Sequence, residues 1–197
     1  MTVLVGYASA RWSTKAIAEE IGAQLMKGGV NASIRPLAEV DGLTHYDSVV
    51  VGSPTFRGEW LAEAAAFLTR HEAELIARPF WLFSVSPVGN VSSLFGPSLT
   101  RGIRRTREPT SVLVDARQWP RFRGHRAFAG AIERGHWSWA GDLLLKLCGG
   151  VVEDRRAWLE IDEWARGIAS QVLAVEWAKE RRRLRLVPPL DTPSRAR

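Results

Sequence analysis

Ser9, Ser13 and Thr14 fall in one short segment, Ser9-Ala10-Arg11-Trp12-Ser13-Thr14, between an apolar run and a stretch with helical spacing. Hydroxyl-bearing and small residues in such a turn can aim side-chain O–H and backbone N–H groups at one anion. The positive end of a helix dipole then lies behind them. A phosphate suits that cradle, so the chemistry is the holding of a nucleotide or a flavin. Small polar residues also cap helices with no ligand present, and other loops have to decide between the two readings.

Two further loops agree with a ligand. One is Ser53-Pro54-Thr55-Phe56-Arg57-Gly58-Glu59-Trp60, and the other is Ser86-Pro87-Val88-Gly89-Asn90. Both follow apolar, strand-like runs. The first offers an aromatic ring and flexible backbone, the second flexible backbone. Together they suit a flat ring that carries a phosphate. Phe56 either faces that ring or packs beneath its own loop, and Arg57 reads most simply as solvated. The chain has no G-x-G-x-x-G and no G-x-x-x-x-G-K-[ST], which argues against a dinucleotide and a P-loop nucleotide. Flavin mononucleotide (FMN) fits these loops better than either. The expected cofactor-binding residues are therefore Ser9, Ala10, Arg11, Trp12, Ser13, Thr14, Pro54, Thr55, Phe56, Arg57, Gly58, Ser86, Pro87, Val88, Gly89 and Asn90.

The elements that must position these loops can be read from periodicity. Strands are expected at 2–6, 30–36, 47–52, 80–85 and 125–132. Val49-Val50-Val51 has the continuous apolar character of a strand buried on both faces. A helix at 13–27 follows from the spacing of Ile17, Ala18, Ile21 and Leu25, with Gly28-Gly29 to end it. Further helices are expected at 59–71, 94–107, 136–148 and 158–180, and an extra short strand at 111–115. Strands alternating with helices argue for an α/β parallel sheet, whose ligands bind beyond the carboxyl ends of the strands.

The length of 197 residues suits one domain, expected over 1–178, with a disordered basic tail over 179–197. Net charge is +6, but seven Lys/Arg and two acids fall in 179–197, so that stretch carries +5 of it. The body is nearly neutral, which argues against nucleic acid as a partner. The tail reads either as a solvated helix end or as a contact for anionic membrane. No apolar run is long enough to span a bilayer. A single Cys148 fits a reducing cytoplasm. His45, His71, His125 and His136 lack metal-ligand spacing, so no metal is expected. Trp137 and Trp139, followed by Leu143, Leu144 and Leu145, form an apolar segment that either packs on the sheet or offers a lip to a lipophilic ligand. Apolar helix faces allow a homodimer.

The chain resembles the flavodoxin-like superfamily, and more narrowly the menaquinone-dependent protoporphyrinogen oxidase (dehydrogenase) branch. The resemblance spans about residues 1–175. It rests on Tyr7-Ala8-Ser9 with Thr14-Lys15-Ala16-Ile17-Ala18, on His45-Tyr46-Asp47-Ser48-Val49-Val50-Val51-Gly52-Ser53, and on Phe56-Arg57-Gly58-Glu59-Trp60. Phe83-Ser84-Val85, Phe128-Ala129-Gly130-Ala131 and Gly149-Gly150 continue it. It implies a doubly wound five-stranded parallel sheet in order 2-1-3-4-5, with helices on both faces and FMN at its carboxyl edge. It also implies electrons taken from protoporphyrinogen IX and passed to a quinone. A one-electron carrier, or a flavodoxin-like protein that has lost FMN, would fit the same fold. Trp12 stands where family members carry glycine. The loop there must take another path, hold strain of roughly 1–3 kcal/mol, or use the indole to cover the phosphate. The stretch after Asn90 is shorter than in that branch.

Overall fold

The structure, a computed structural model, describes residues 1–8, 12–56, 58–86, 111–129 and 155–185. Strands β1 (Thr2–Tyr7), β2 (Asn31–Pro36), β3 (Ser48–Phe56), β5 (Phe80–Ser86) and β6 (Phe122–Ala129) form the sheet. They run parallel in the order β2-β1-β3-β5-β6. The strand β4 (Glu59–Trp60) lies off this path, antiparallel to β3. Counting the parallel strands alone, the order is the expected 2-1-3-4-5.

Helices cover both faces. Helix α1 (Trp12–Lys27) and the long α5 (Arg155–Arg185) pack on one side. Their apolar stripe of Ile17, Ile21, Leu25, Ile161, Ala165, Ile168 and Val172 closes over Val3, Val5, Val50 and Phe83. Helices α2 (Ala62–Arg70), α3 (Glu72–Ile76) and α4 (Ser111–Arg117) lie on the other. There Ala64, Phe67, Leu75 and Ala116 meet Leu4, Val49, Val51 and Leu82. Val49, Val50 and Val51 are fully buried, as a central strand covered from both sides requires.

Gly52 occupies a position on β3 that has no room for a side chain. The Phe83 ring lies across it, and a Cβ there would run into that ring. Phe83 in turn meets Phe128 and Trp164, whose centroids are 6.1 and 6.3 Å away. This aromatic group ties β5 and β6 to α5.

Three expected elements differ. The helix expected at 59–71 begins only at Ala62. Gly58 takes φ +86°, which only glycine adopts cheaply, and the chain reverses so that Thr55 pairs Trp60 and Phe56 pairs Glu59. The strand expected at 111–115 is part of α4. Its Val112-Leu113-Val114 is β-prone, but a short apolar run has no period of its own, and Val112 with Ala116 presents helical spacing to the core. The tail expected to be disordered from 179 starts as helix, because α5 continues through Arg185. Its Lys, Glu, Arg and Leu residues are good helix formers. The expected helices at 94–107 and 136–148, the strand end at 130–132, Cys148 and the 137–145 segment lie outside the described residues.

Candidate functional site

Parallel strands put their carboxyl ends along one edge. Tyr7 pairs Gly52, Gly52 pairs Phe83, Pro54 pairs Val85 and Ser86 pairs Ala129. Ala8 N–H donates to Gly52 O at 2.9 Å, fixing the point where the chain leaves β1 for the segment before α1. Strand β3 continues past this level through Ser53 to Phe56, so the β3–β4 hairpin rises above the end of β1 as a wall.

The first turn of α1 follows β1 at the same carboxyl edge. Trp12 is the first helical residue, so its backbone is right-handed and carries none of the strain of a left-handed glycine position. Thr14 is 1% exposed and Ser13 is half-buried, which places both on the inward side of the turn. The first N–H groups of any helix lie outside its own hydrogen-bond ladder, so a helix start favours an anion. Ser9, Ala10 and Arg11 lie outside the described residues, as do Arg57 and Pro87, Val88, Gly89 and Asn90. Of the expected site residues, the structure brings Trp12, Ser13, Thr14, Pro54, Thr55, Phe56, Gly58 and Ser86 to the same edge.

Beneath the hairpin lies a buried polar chain. Ser53 is fully buried; its hydroxyl donates to Pro54 O at 2.9 Å and accepts from Leu61 N–H at 3.1 Å. This bond closes the hairpin onto the start of α2. Trp60 Nε1–H donates to Ser84 Oγ at 2.7 Å, and Ser84 Oγ lies 2.8 Å from His125 Nε2. An indole N–H can only donate, so Ser84 accepts from Trp60, and one proton, from the hydroxyl or from the imidazole according to its tautomer, joins Ser84 to His125. Burial, and then the charge of Arg117, push the pKa of His125 down to about 4. The ring is therefore neutral at pH 7. Sequence reading missed this chain, because Trp60 was expected to head a helix and His125 was weighed only as a metal ligand. The available signal was Ser84 and Ser86, hydroxyls on one face of an otherwise apolar strand.

Thr55 Oγ1 is shielded from solvent and meets no hydrogen-bond partner among the described residues. Burying a hydroxyl in that state costs about 1–3 kcal/mol. It stands on β3 two residues beyond Ser53, near the carboxyl end of the strand. A polar ring or phosphate bound there would supply what it lacks.

A profile of the flavodoxin domain matches residues 4–140. The chain belongs to this flavodoxin-domain family. Solved structures agree in fold. A cysteine-to-serine mutant of flavodoxin from Pseudomonas aeruginosa is 14% identical, with 86% of this chain and 97% of that one covered at a TM-score of 0.54. Flavodoxin 2 from Bacillus cereus is 19% identical, with 87% and 99% covered at 0.50. Rubredoxin oxygen:oxidoreductase from Desulfovibrio gigas is 14% identical, with 88% of this chain and 36% of that one covered at 0.54. No curated protein sequence matches.

Membership in this family makes FMN the cofactor. The residues present fit it. The start of α1 offers N–H groups and two hydroxyls to a phosphate, and Thr55 offers an unspent hydroxyl. Gly58 and Ser86 mark where the flanking loops leave the sheet. The coarse role is flavin-based electron transfer. Among the described residues no three side chains could hold a metal ion, and no helix is long and apolar enough to cross a membrane.

Proposed function

We propose that the protein is an FMN-dependent oxidoreductase of the protoporphyrinogen-dehydrogenase type. It takes electrons from a porphyrinogen, or a similar reduced small molecule, and passes them to a quinone in the cytoplasm or at the membrane face. The observation that carries this over a one-electron carrier is the charge. A carrier that docks basic partners uses an acidic face, whereas this chain has a net charge of +6 and a nearly neutral body. The sequence motifs of the branch point the same way.

Bound FMN would supply the redox chemistry, accepting two electrons from the donor and giving them to the acceptor. The chain's own share is positional. Ser13, Thr14 and the first-turn N–H groups of α1 would hold the phosphate, together with Ser9–Arg11. Residues 54–58 and 86–90 would frame the ring. Ser84 fixes Trp60, and Trp60 fixes the hairpin wall. The neutral His125 braces Ser84 without adding charge beneath the site. No side chain is assigned as acid or base.

Anaerobic mixing of the FMN-loaded protein with protoporphyrinogen IX tests the reading. Bleaching of the flavin band, restored by menaquinone, is the expected result. A flavin that dithionite bleaches but protoporphyrinogen IX does not would remove the proposed activity and leave a carrier.

A further inference from the structure

The C-terminal half of α5 runs on past the last core residue among those described. Helix α1 ends at Lys27, and the backbone of Gly28 packs against the Ala169 methyl. Val172 is the last buried residue of α5 among those described, yet the helix continues to Arg185. That is about 20 Å of helix at roughly 1.5 Å per residue. Within it Trp177 is 68% exposed, and Ala174, Glu176, Ala178, Glu180, Arg181 and Arg183 are also exposed.

Two properties define what this projection meets. Residues 179–185 hold Lys179, Arg181, Arg182, Arg183 and Arg185 against the single acid Glu180. The core-facing line of Ile161, Ile168 and Val172 runs on through the half-buried Leu173 to Trp177. The apolar stripe therefore continues where the core has ended. A second copy of the chain would bring like charges together, which disfavours self-association through this end. An indole beside an arginine run matches the boundary of a bilayer, where tryptophan sits at headgroup level and basic residues meet anionic lipid.

We propose that the projecting end of α5 docks on an anionic lipid surface, lying in the headgroup layer with Trp177 inserted and Arg181 and Arg183 on the phosphates. This helix is too polar to span the bilayer. The inference rests on α5 alone and holds whether or not the flavin site turns over a porphyrinogen. Docking would bring the molecule to the layer where lipophilic electron acceptors reside.

Vesicle flotation of the full chain tests it, with phosphatidylcholine vesicles with and without phosphatidylglycerol. The protein is expected to float with the anionic vesicles only, and to be released as salt rises. Arg181→Glu with Arg183→Glu should lower the bound fraction about tenfold or more, and Trp177→Ala roughly threefold. Both variants should retain wild-type far-ultraviolet circular dichroism, since these side chains are exposed. Equal binding to neutral vesicles, no binding at low salt, or binding that either variant leaves unchanged would overturn the proposal. So would capture by duplex DNA without capture by vesicles, or a dimer that the arginine substitutions abolish.

Discussion

His125 illustrates how single residues serve this site without touching a ligand. Its imidazole closes a hydrogen-bonded chain to Ser84 and Trp60, and burial holds it neutral, with its pKa at about 4. In the unfolded chain a histidine titrates near 6.5. The folded value is depressed, so this contribution to stability is complete above about pH 6.5 and is lost as pH falls toward 4. The difference corresponds to at most about 3 kcal/mol. Urea midpoints at pH 7 and pH 4.5 should therefore separate more for the wild type than for His125→Gln, which still offers Ser84 a partner. Equal pH slopes would contradict this. At Trp12 the family resemblance raised the possibility of strain, and the helical start of α1 removes it. The sequence could not reveal this, because φ depends on where the helix begins and not on which residue stands there.

At the scale of elements, legibility followed periodicity. The strand through Val49, Val50 and Val51 and the stripe of Ile17, Ile21 and Leu25 repeat regularly, and both emerge as expected. The β3–β4 hairpin was hidden, because it depends on one glycine at positive φ and on a tryptophan that finds Ser84 across the sheet. Helix α4 was hidden because Val112-Leu113-Val114 is too short to show a period. The contact of α1 with α5 contains a feature that no pattern announces. Asp162 packs against Glu20, and its pKa is raised by burial first, then by the charge and hydrogen bond of Glu20, with Lys27 and Arg166 partly offsetting. Gln24 Nε2 also donates to Glu20 Oε1 at 2.8 Å. A raised carboxyl pKa means that the fold binds this proton more tightly than the unfolded chain does. It is therefore penalised as pH rises above the ordinary carboxylate range. Asp162→Asn removes the ionisation and keeps a donor for Glu20. It should raise Tm by roughly 2–4 °C at pH 7, a gain that disappears near pH 4. A lower Tm at pH 7 would contradict the assignment.

At the scale of the whole molecule, the described residues form a parallel sheet with helices packed on both faces. Its architecture and strand order were legible, because alternating strands and helices admit few right-handed arrangements. The buried polar chain under the hairpin was not, since it joins residues from β4, β5 and β6 that only the register brings together. The charge is divided as well, with a nearly neutral body and a basic helix end, so cofactor and lipid surface would be met by different parts of the molecule. The central claim is that the edge holds FMN. The most direct test is titration of the purified protein into FMN, following flavin fluorescence and the visible spectrum, with Thr14→Val alongside. Quenched fluorescence and a shifted band for the wild type, with about tenfold weaker binding by the variant, are the expected results. FMN fluorescence and spectrum unchanged by excess protein would contradict the account.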